Sequence, residues 1–433
     1  NQFQRNTNLD ALRVVASFAV ICLHVSASVV ISKPDVHGIA WWTGNTVNAF
    51  SRWCIPVFVM ISGALSFQTE RIFPFGVPKK KTLRLLPPII FWTLIYIVFQ
   101  AYTSKKFDLT LVVKNIIAGK PYYHLWYLYM IAGMYLFAPF MKSLISCINT
   151  SSFRILILCC FAVATIESLL GGFTSSTFLT RFIPFIGYFL AGFYLLNYSH
   201  DLSNRLLFAI YFVSGLLIAA VTGMLLPVIG QQSWKIMYTY LNPIVIIMSL
   251  CVFLLFMKQK RTLLMSHDFV ERIAKISLGI YVIHPLWFWF LTKLKITPFT
   301  IHPLVGIPIT TLLAFILSVF SAYLMAQVPF LKKTDAKKTI NINRVYFVLF
   351  YTYRVQQSFI FFIMKIETRI ETYLISQFAI TAIIPLDHNR VNQGDGKLIW
   401  QLSGKLWGRD AKLGHFIHFC FFGDNYGKSD QHQ

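Results

Sequence analysis

Asn8-Leu-Asp-Ala-Leu-Arg-Val-Val-Ala-Ser-Phe-Ala-Val-Ile-Cys-Leu-His24 is a run of apolar and small residues into which three ionisable groups are set, Asp10, Arg13 and His24. At about 100° per residue, the three fall within a sector of roughly 60° on one helix. Arg13 and His24 are eleven residues apart, about 16 Å along the axis. The apolar background reads as a membrane span. An ionisable group inside a bilayer costs several kcal/mol, so such groups face a bundle interior or a wet cavity and commonly mark function. A polar stripe that only packs against neighbouring helices is the alternative.

The rest of the chain has the same character. Of 433 residues, 56% are hydrophobic and only 13% charged, and the mean hydropathy is +0.61. A soluble domain carries about 25% charged residues. The composition therefore implies an all-α polytopic membrane protein. Apolar runs long enough to cross the hydrocarbon core occur at about 9–31, 45–67, 83–103, 122–141, 153–173, 178–197, 205–229, 237–257, 274–292 and 304–328. A bundle of about ten transmembrane helices follows.

The formal charge of +23 would suggest nucleic acid in a soluble protein. Here the basic residues sit in short loops, where orientation and anionic lipid account for them, and no nucleic-acid partner is expected. With the N-terminus in the cytoplasm, eighteen Lys and Arg fall in cytoplasmic segments and nine on the opposite side. That bias predicts a cytoplasmic N-terminus; the four lysines between 105 and 120 run against it. The seven cysteines show no paired spacing and read as small hydrophobes. The chain begins at Asn1 without a cleavable signal pattern, so the first span is expected to target it. Past Leu331 the apolar periodicity ends. Residues 332–433 read as a tail of unclear structure, with one weak apolar helix at 345–364 that Arg354 interrupts.

Further candidates lie in the other spans. Ser51-Arg-Trp-Cys-Ile-Pro-Val-Phe-Val-Met-Ile-Ser-Gly63 carries Arg52, either a snorkelling residue or a ligand of substrate. Pro78-Lys-Lys-Lys-Thr-Leu-Arg84 sets Lys81 and Arg84 among the cations at a membrane entry, either a positive-inside anchor or a phosphate seat. Tyr122-Tyr-His-Leu-Trp-Tyr-Leu-Tyr129 reads as an interfacial aromatic belt, with His124 satisfied by headgroups and water or else binding substrate. Glu167 is an acid within a span, expected to be protonated or paired with Arg52 or Arg181. Tyr281 and His284 share a helix face, and the proline after His284 is compatible with a helix end. No metal-ligand cluster stands out.

Four segments taken together resemble the acyltransferase-3 family of integral membrane acyltransferases, most closely its enterobacterial-common-antigen O-acetyltransferase branch. They are Leu9-Asp-Ala-Leu-Arg13 with His24, Ser51-Arg52 with Pro56 to Gly63, Tyr123-His-Leu-Trp126, and Ser277-Leu-Gly-Ile-Tyr281 with His284-Pro. The resemblance covers about 5–331. It implies an enzyme of the bacterial inner membrane that transfers an acyl group, usually acetyl from acetyl-CoA, to a hydroxyl of a cell-surface or lipid-linked glycan. It implies no permanently bound cofactor. The family's histidine and arginine of the first span fall on His24 and Arg13. Its Arg-x-x-Arg pair falls on Lys81 and Arg84, where lysine keeps the charge but loses the bidentate fork.

The residues suit that chemistry. A positioned histidine removes the proton of an attacking alcohol, so His24 is the expected catalytic base. Arg13 would orient Asp10 or a cofactor phosphate, or steady the oxyanion. Arg52, His124, Trp126, Glu167, Tyr281 and His284 are candidates for binding substrate. Two other classes fit a charged membrane bundle. One is a glycan or lipid transporter or flippase without acyl-transfer chemistry. The other is a haem-binding electron carrier using two of His24, His124 and His284 as axial ligands.

Overall fold

The computed structural model describes residues 6–32, 38–67, 79–105, 107–170, 177–198, 201–230, 232–259 and 266–327. The expected tail at 332–433 lies outside the described residues. Thirteen α-helices occur in the described part: α1 Thr7–Ser32, α2 Ile39–Ser51, α3 Cys54–Ser66, α4 Lys79–Ser104, α5 Leu109–Ile117, α6 Trp126–Ser146, α7 Thr150–Leu169, α8 Ile186–Asn197, α9 Asn204–Ile229, α10 Gln232–Met237, α11 Pro243–Met257, α12 His267–Lys293 and α13 Pro303–Gln327. Among the described residues there is no strand. Membrane-embedded backbone must satisfy its own polar groups, which favours an all-helical chain.

Among the described residues eight helices are long and apolar enough to cross a membrane, α2 and α3 counting as one unit, Ile39–Ser66. Two shorter apolar helices, Ile183–Asn197 and Pro243–Met257, fall in the sixth and eighth apolar runs. At 1.5 Å per residue, fifteen residues rise only about 22 Å, short of a core of about 30 Å. Irregular backbone completes those two runs. Pro184 and Pro243 sit at helix starts, where a missing N–H removes no helical bond. Non-helical backbone is tolerated at membrane depth only where protein satisfies it. Side chains do this at 238–241: Tyr238 O accepts from Arg52, Tyr240 O from the Tyr188 hydroxyl at 2.6 Å, and Leu241 O from the Thr165 hydroxyl at 2.9 Å.

Polar side chains cap the starts of several helices. Asp108, Asn149, Ser203, Asn242 and Ser266 each accept a hydrogen bond from a backbone N–H in the first turn of the helix that follows. α5 is an element the hydropathy runs did not disclose. It carries Lys114, one of the four lysines that run against the charge bias.

The unit formed by α2 and α3 is central. Of its most apolar window 78% is buried, against 22% for that of α7. α3 and α8 meet backbone to backbone: a Cβ at Gly63 would stand 1.8 Å from Phe189 O, and one at Gly192 2.0 Å from Met60 O. Small residues allow such approaches in membrane bundles. α1 packs on α12 and α13 through Ile21, Val25, Val29, Ile280, Leu291 and Ala314.

Candidate active site

α1 carries the first site residues. The Arg13 guanidinium lies 3.7 Å from the Asp10 carboxylate, Asp10 being buried and Arg13 half-buried. His24 is eleven residues further along α1 and also half-buried. The polar face therefore splits into an ion pair near one end and an imidazole toward the other.

α12 brings in the second histidine, and its proline explains how. Pro285 lies inside the helix, where it has no N–H for the carbonyl four residues back, Tyr281 O. His284 fills the vacancy: its Nδ1 is 2.6 Å from Tyr281 O. A carbonyl only accepts, so Nδ1 carries a hydrogen. The His284 Nε2 is buried and has no hydrogen-bond partner. The expectation of a helix end at His284 is thus corrected. The helix continues to Lys293, because the freed carbonyl is satisfied locally.

The third histidine comes from a turn. Residues 121–125 are non-helical, and α6 starts only at Trp126. Gly119, at φ +63°, turns the chain into this segment; a Cβ there would meet Phe178 Cα at 2.8 Å. The Tyr281 hydroxyl donates to His124 O, and the Tyr96 hydroxyl donates to Val282 O at 2.7 Å. These bonds tie α4, the turn and α12 together. The expectation that headgroups and water satisfy His124 is corrected here, while Tyr123 is exposed as a belt residue would be. Tyr122 stacks on Tyr96 with centroids 4.4 Å apart, and His124 is only 1% exposed. Neither His124 ring nitrogen has a hydrogen-bond partner.

The three imidazoles converge. His24 stacks on His284 at 5.2 Å between centroids, and His284 meets His124 edge-on at 5.4 Å. Tyr123 stands 5.0 Å from His24, and Tyr281 5.6 Å from His124. Each unpartnered buried nitrogen costs about 1–3 kcal/mol unless a ligand or water satisfies it. Such a cluster is suited to receiving hydroxyl protons.

Two cavities adjoin α1, one lined by Arg13 and the other by Ala27, Val30 and Ile31, so His24 falls between their lining residues along the helix. One, of about 160 Å³, is lined by Arg13, Phe58, Ile61, Ser62, Leu85, Tyr127, Ile131, Tyr135, Ser277, Leu278 and Tyr281. Tyr281 lines this cavity and also touches His124 and His284. The other, of about 330 Å³, is lined by Ala27, Val30, Ile31, Arg52, Trp234, Tyr238 and Thr239, so it begins one turn of α1 beyond His24.

Residues 6–326 match the acyltransferase domain family that defines acyltransferase-3. The chain belongs to the acyltransferase-3 family. It is an acyltransferase built on membrane-spanning helices, and the transporter and electron-carrier readings give way to that assignment. No curated protein and no solved structure matches it.

Not every candidate in this acyltransferase joins the cluster. His24, His124, Tyr281 and His284 come together, while Asp10 and Arg13 form their own pair beside the smaller cavity. Arg84 is exposed, next to the cavity residue Leu85. Lys81 lies in α4, but its side chain lies outside the described residues. Trp126 is set between Phe185 at 5.5 Å and Tyr240 at 5.9 Å. Glu167 is a correction. It is exposed on α7, and its expected partners are engaged elsewhere: Arg52 on Asn48 and Tyr238 O, Arg181 on Ala118 O. Glu167 sits in the last turn of α7, at the end of the span rather than in its apolar middle, where a carboxylate needs no internal counter-charge.

Sequence reasoning missed Asn45 and Asn48. Both are fully buried, and Asn48 accepts from the Arg52 Nε at 2.9 Å. The signal was present, since positions 45, 48 and 52 follow the spacing of one helix face in an otherwise apolar span.

Proposed function

We propose that this acyltransferase moves an acetyl group from acetyl-CoA to a hydroxyl of a cell-surface or lipid-linked glycan in the bacterial inner membrane, as in the enterobacterial-common-antigen O-acetyltransferase branch it resembles. One observation carries the reading: His24, the least buried of three contacting imidazoles, falls along α1 between the residues lining two cavities. His124 and His284 are each only 1% exposed, so His24 is the ring a substrate reaches most readily. In the proposed step an imidazole nitrogen of His24 takes the acceptor's hydroxyl proton as the oxygen attacks the thioester carbonyl carbon. A C–O bond forms, the C–S bond breaks, and the CoA thiolate leaves and is protonated.

Acetyl-CoA would enter from the Arg13 side, with Lys81 and Arg84 seating its phosphates and Arg13 assisting. The acceptor would enter from the Arg52 side. Donor and acceptor then meet at His24 from opposite faces of the membrane.

The test is incubation of membranes containing the full chain with acetyl-labelled CoA. Label is expected in a glycan or glycolipid fraction, and absent from membranes carrying His24→Gln. Label confined to free acetate, or found only on proteins, would overturn the assignment.

A further inference from the structure

Arg52 is held by a network that supplies no negative charge. Its Nε donates to Asn48 Oδ1 at 2.9 Å and NH1 to Tyr238 O at 2.9 Å; NH2 also donates to Asn48 Oδ1. The guanidinium carbon lies 4.0 Å over the Tyr238 ring. Asn48 is itself fixed, its Nδ2 donating to Leu23 O at 2.9 Å and to Ser26 Oγ at 3.1 Å. The Tyr238 hydroxyl donates to Asn45 Oδ1, and Asn45 Nδ2 donates to Ala219 O at 2.9 Å. A chain of neutral groups from α1 to α9 thus fixes one cation.

This is not the geometry of a snorkelling arginine, whose head would be loose in the interface. Among the described residues Arg52 has no carboxylate partner. A guanidinium has five N–H donors, and the three bonds above leave two. Arg52 also lines the larger cavity, together with Trp234, Tyr238 and Thr239. A fixed cation with spare donors, no counter-ion and an adjoining cavity lacks only an anion.

We infer that the Arg52 cavity is a binding site for an anionic group, a carboxylate or phosphate, carried by the acceptor. The inference rests on the proposed entry of the acceptor from this side. It narrows the acceptor to acidic or phosphate-linked sugars, with the anion on Arg52 and a hydroxyl one helical turn away at His24.

The test is binding, which needs no acyl transfer. The full chain in phosphatidylcholine nanodiscs is titrated calorimetrically with glucose, glucuronate and glucose 1-phosphate. Wild type is expected to bind at least one charged sugar about tenfold or more tighter than glucose, as two charge-assisted hydrogen bonds would give. Arg52→Gln should abolish that preference, and Arg52→Lys should retain part of it. Repeating the titration in phosphatidylglycerol nanodiscs separates the sources. Loss of the charged-sugar preference by wild type in phosphatidylglycerol assigns the anion to a lipid headgroup and overturns the acceptor's part in the inference, and its retention assigns the anion to the sugar. Equal binding of charged and neutral sugars, or no binding of any probe, would overturn the inference in wild type even if Arg52→Gln failed to fold. An undiminished preference in Arg52→Gln would do the same. Charge-selective binding without any acetyl transfer would sustain the site and refute the proposed reaction instead.

Discussion

The imidazole of His24 stacks on that of His284, with centroids 5.2 Å apart and planes 23° from parallel. Two rings from helices far apart in sequence meet face to face, and Tyr281 O holds a hydrogen of His284 on Nδ1. At that distance two imidazolium charges would oppose each other, so the pair is suited to holding one proton rather than two.

His24→Ala should lower kcat by about 10²–10⁴-fold, the usual contribution of a general base, while the protein still inserts. His24→Gln keeps rough size and polarity but cannot accept a proton, so it should be nearly as impaired. Steady-state transfer kinetics on purified enzyme decide the matter. A folded His24→Gln enzyme with near-normal kcat would pass the role to His284 or His124.

Pro285→Ala restores an N–H facing Tyr281 O and so competes with the His284 Nδ1 for one carbonyl. Removing an interior proline relieves a helix of a defect of about 3 kcal/mol. The melting temperature should therefore hold or rise. Loss of the fixed ring should nonetheless lower kcat by about tenfold to a hundredfold, as a small misplacement of a catalytic group does. Unchanged kcat would mean that His284 is merely structural.

Gly192→Ala places a methyl group 2.0 Å from Met60 O, a backbone atom that cannot rotate away. Forcing α3 and α8 apart should destabilise the bundle by about 1–3 kcal/mol or more, read as a lower melting temperature in detergent. Gly230→Ala, with nothing within 4 Å of the new methyl, should suffer only from its positive φ. An unchanged melting temperature in Gly192→Ala would contradict the close-packing account.

Lys81→Gln with Arg84→Gln should raise the apparent KM for acetyl-CoA about tenfold or more, since a hydrogen bond to a charged group contributes about 1.5–3 kcal/mol. Helix orientation should not change, as the remaining charge bias still favours the same side. An unaltered KM with disturbed insertion would make the pair an anchor.

Orientation itself can be read by cysteine labelling. In a background lacking the native cysteines, a membrane-impermeant thiol reagent on intact cells should modify Gly38→Cys and spare Gly76→Cys. The reverse pattern would invert the topology, and with it the side proposed for the entry of acetyl-CoA.

The apolar runs determined by themselves that this chain is a helical membrane protein, because about twenty apolar residues leave the backbone few ways to cross lipid. Local sequence also set Asp10 against Arg13, three residues apart on one helix, and nominated each histidine separately. It could not say that His24, His124 and His284 touch, for they come from a helix, a turn and another helix separated by up to 260 positions. Nor could it distinguish the tyrosines 122–129 as a lipid-facing belt from an inward cluster, since an aromatic ring suits an interface and a core alike. Packing made that choice residue by residue: Tyr123 stays exposed, Tyr127 is buried, and the hydroxyls of Tyr281 and Tyr96 close over the carbonyls of His124 and Val282. Glu167 shows the same limit from the other side: hydropathy puts it in a span, but only the arrangement of neighbouring helices decides that it faces outward.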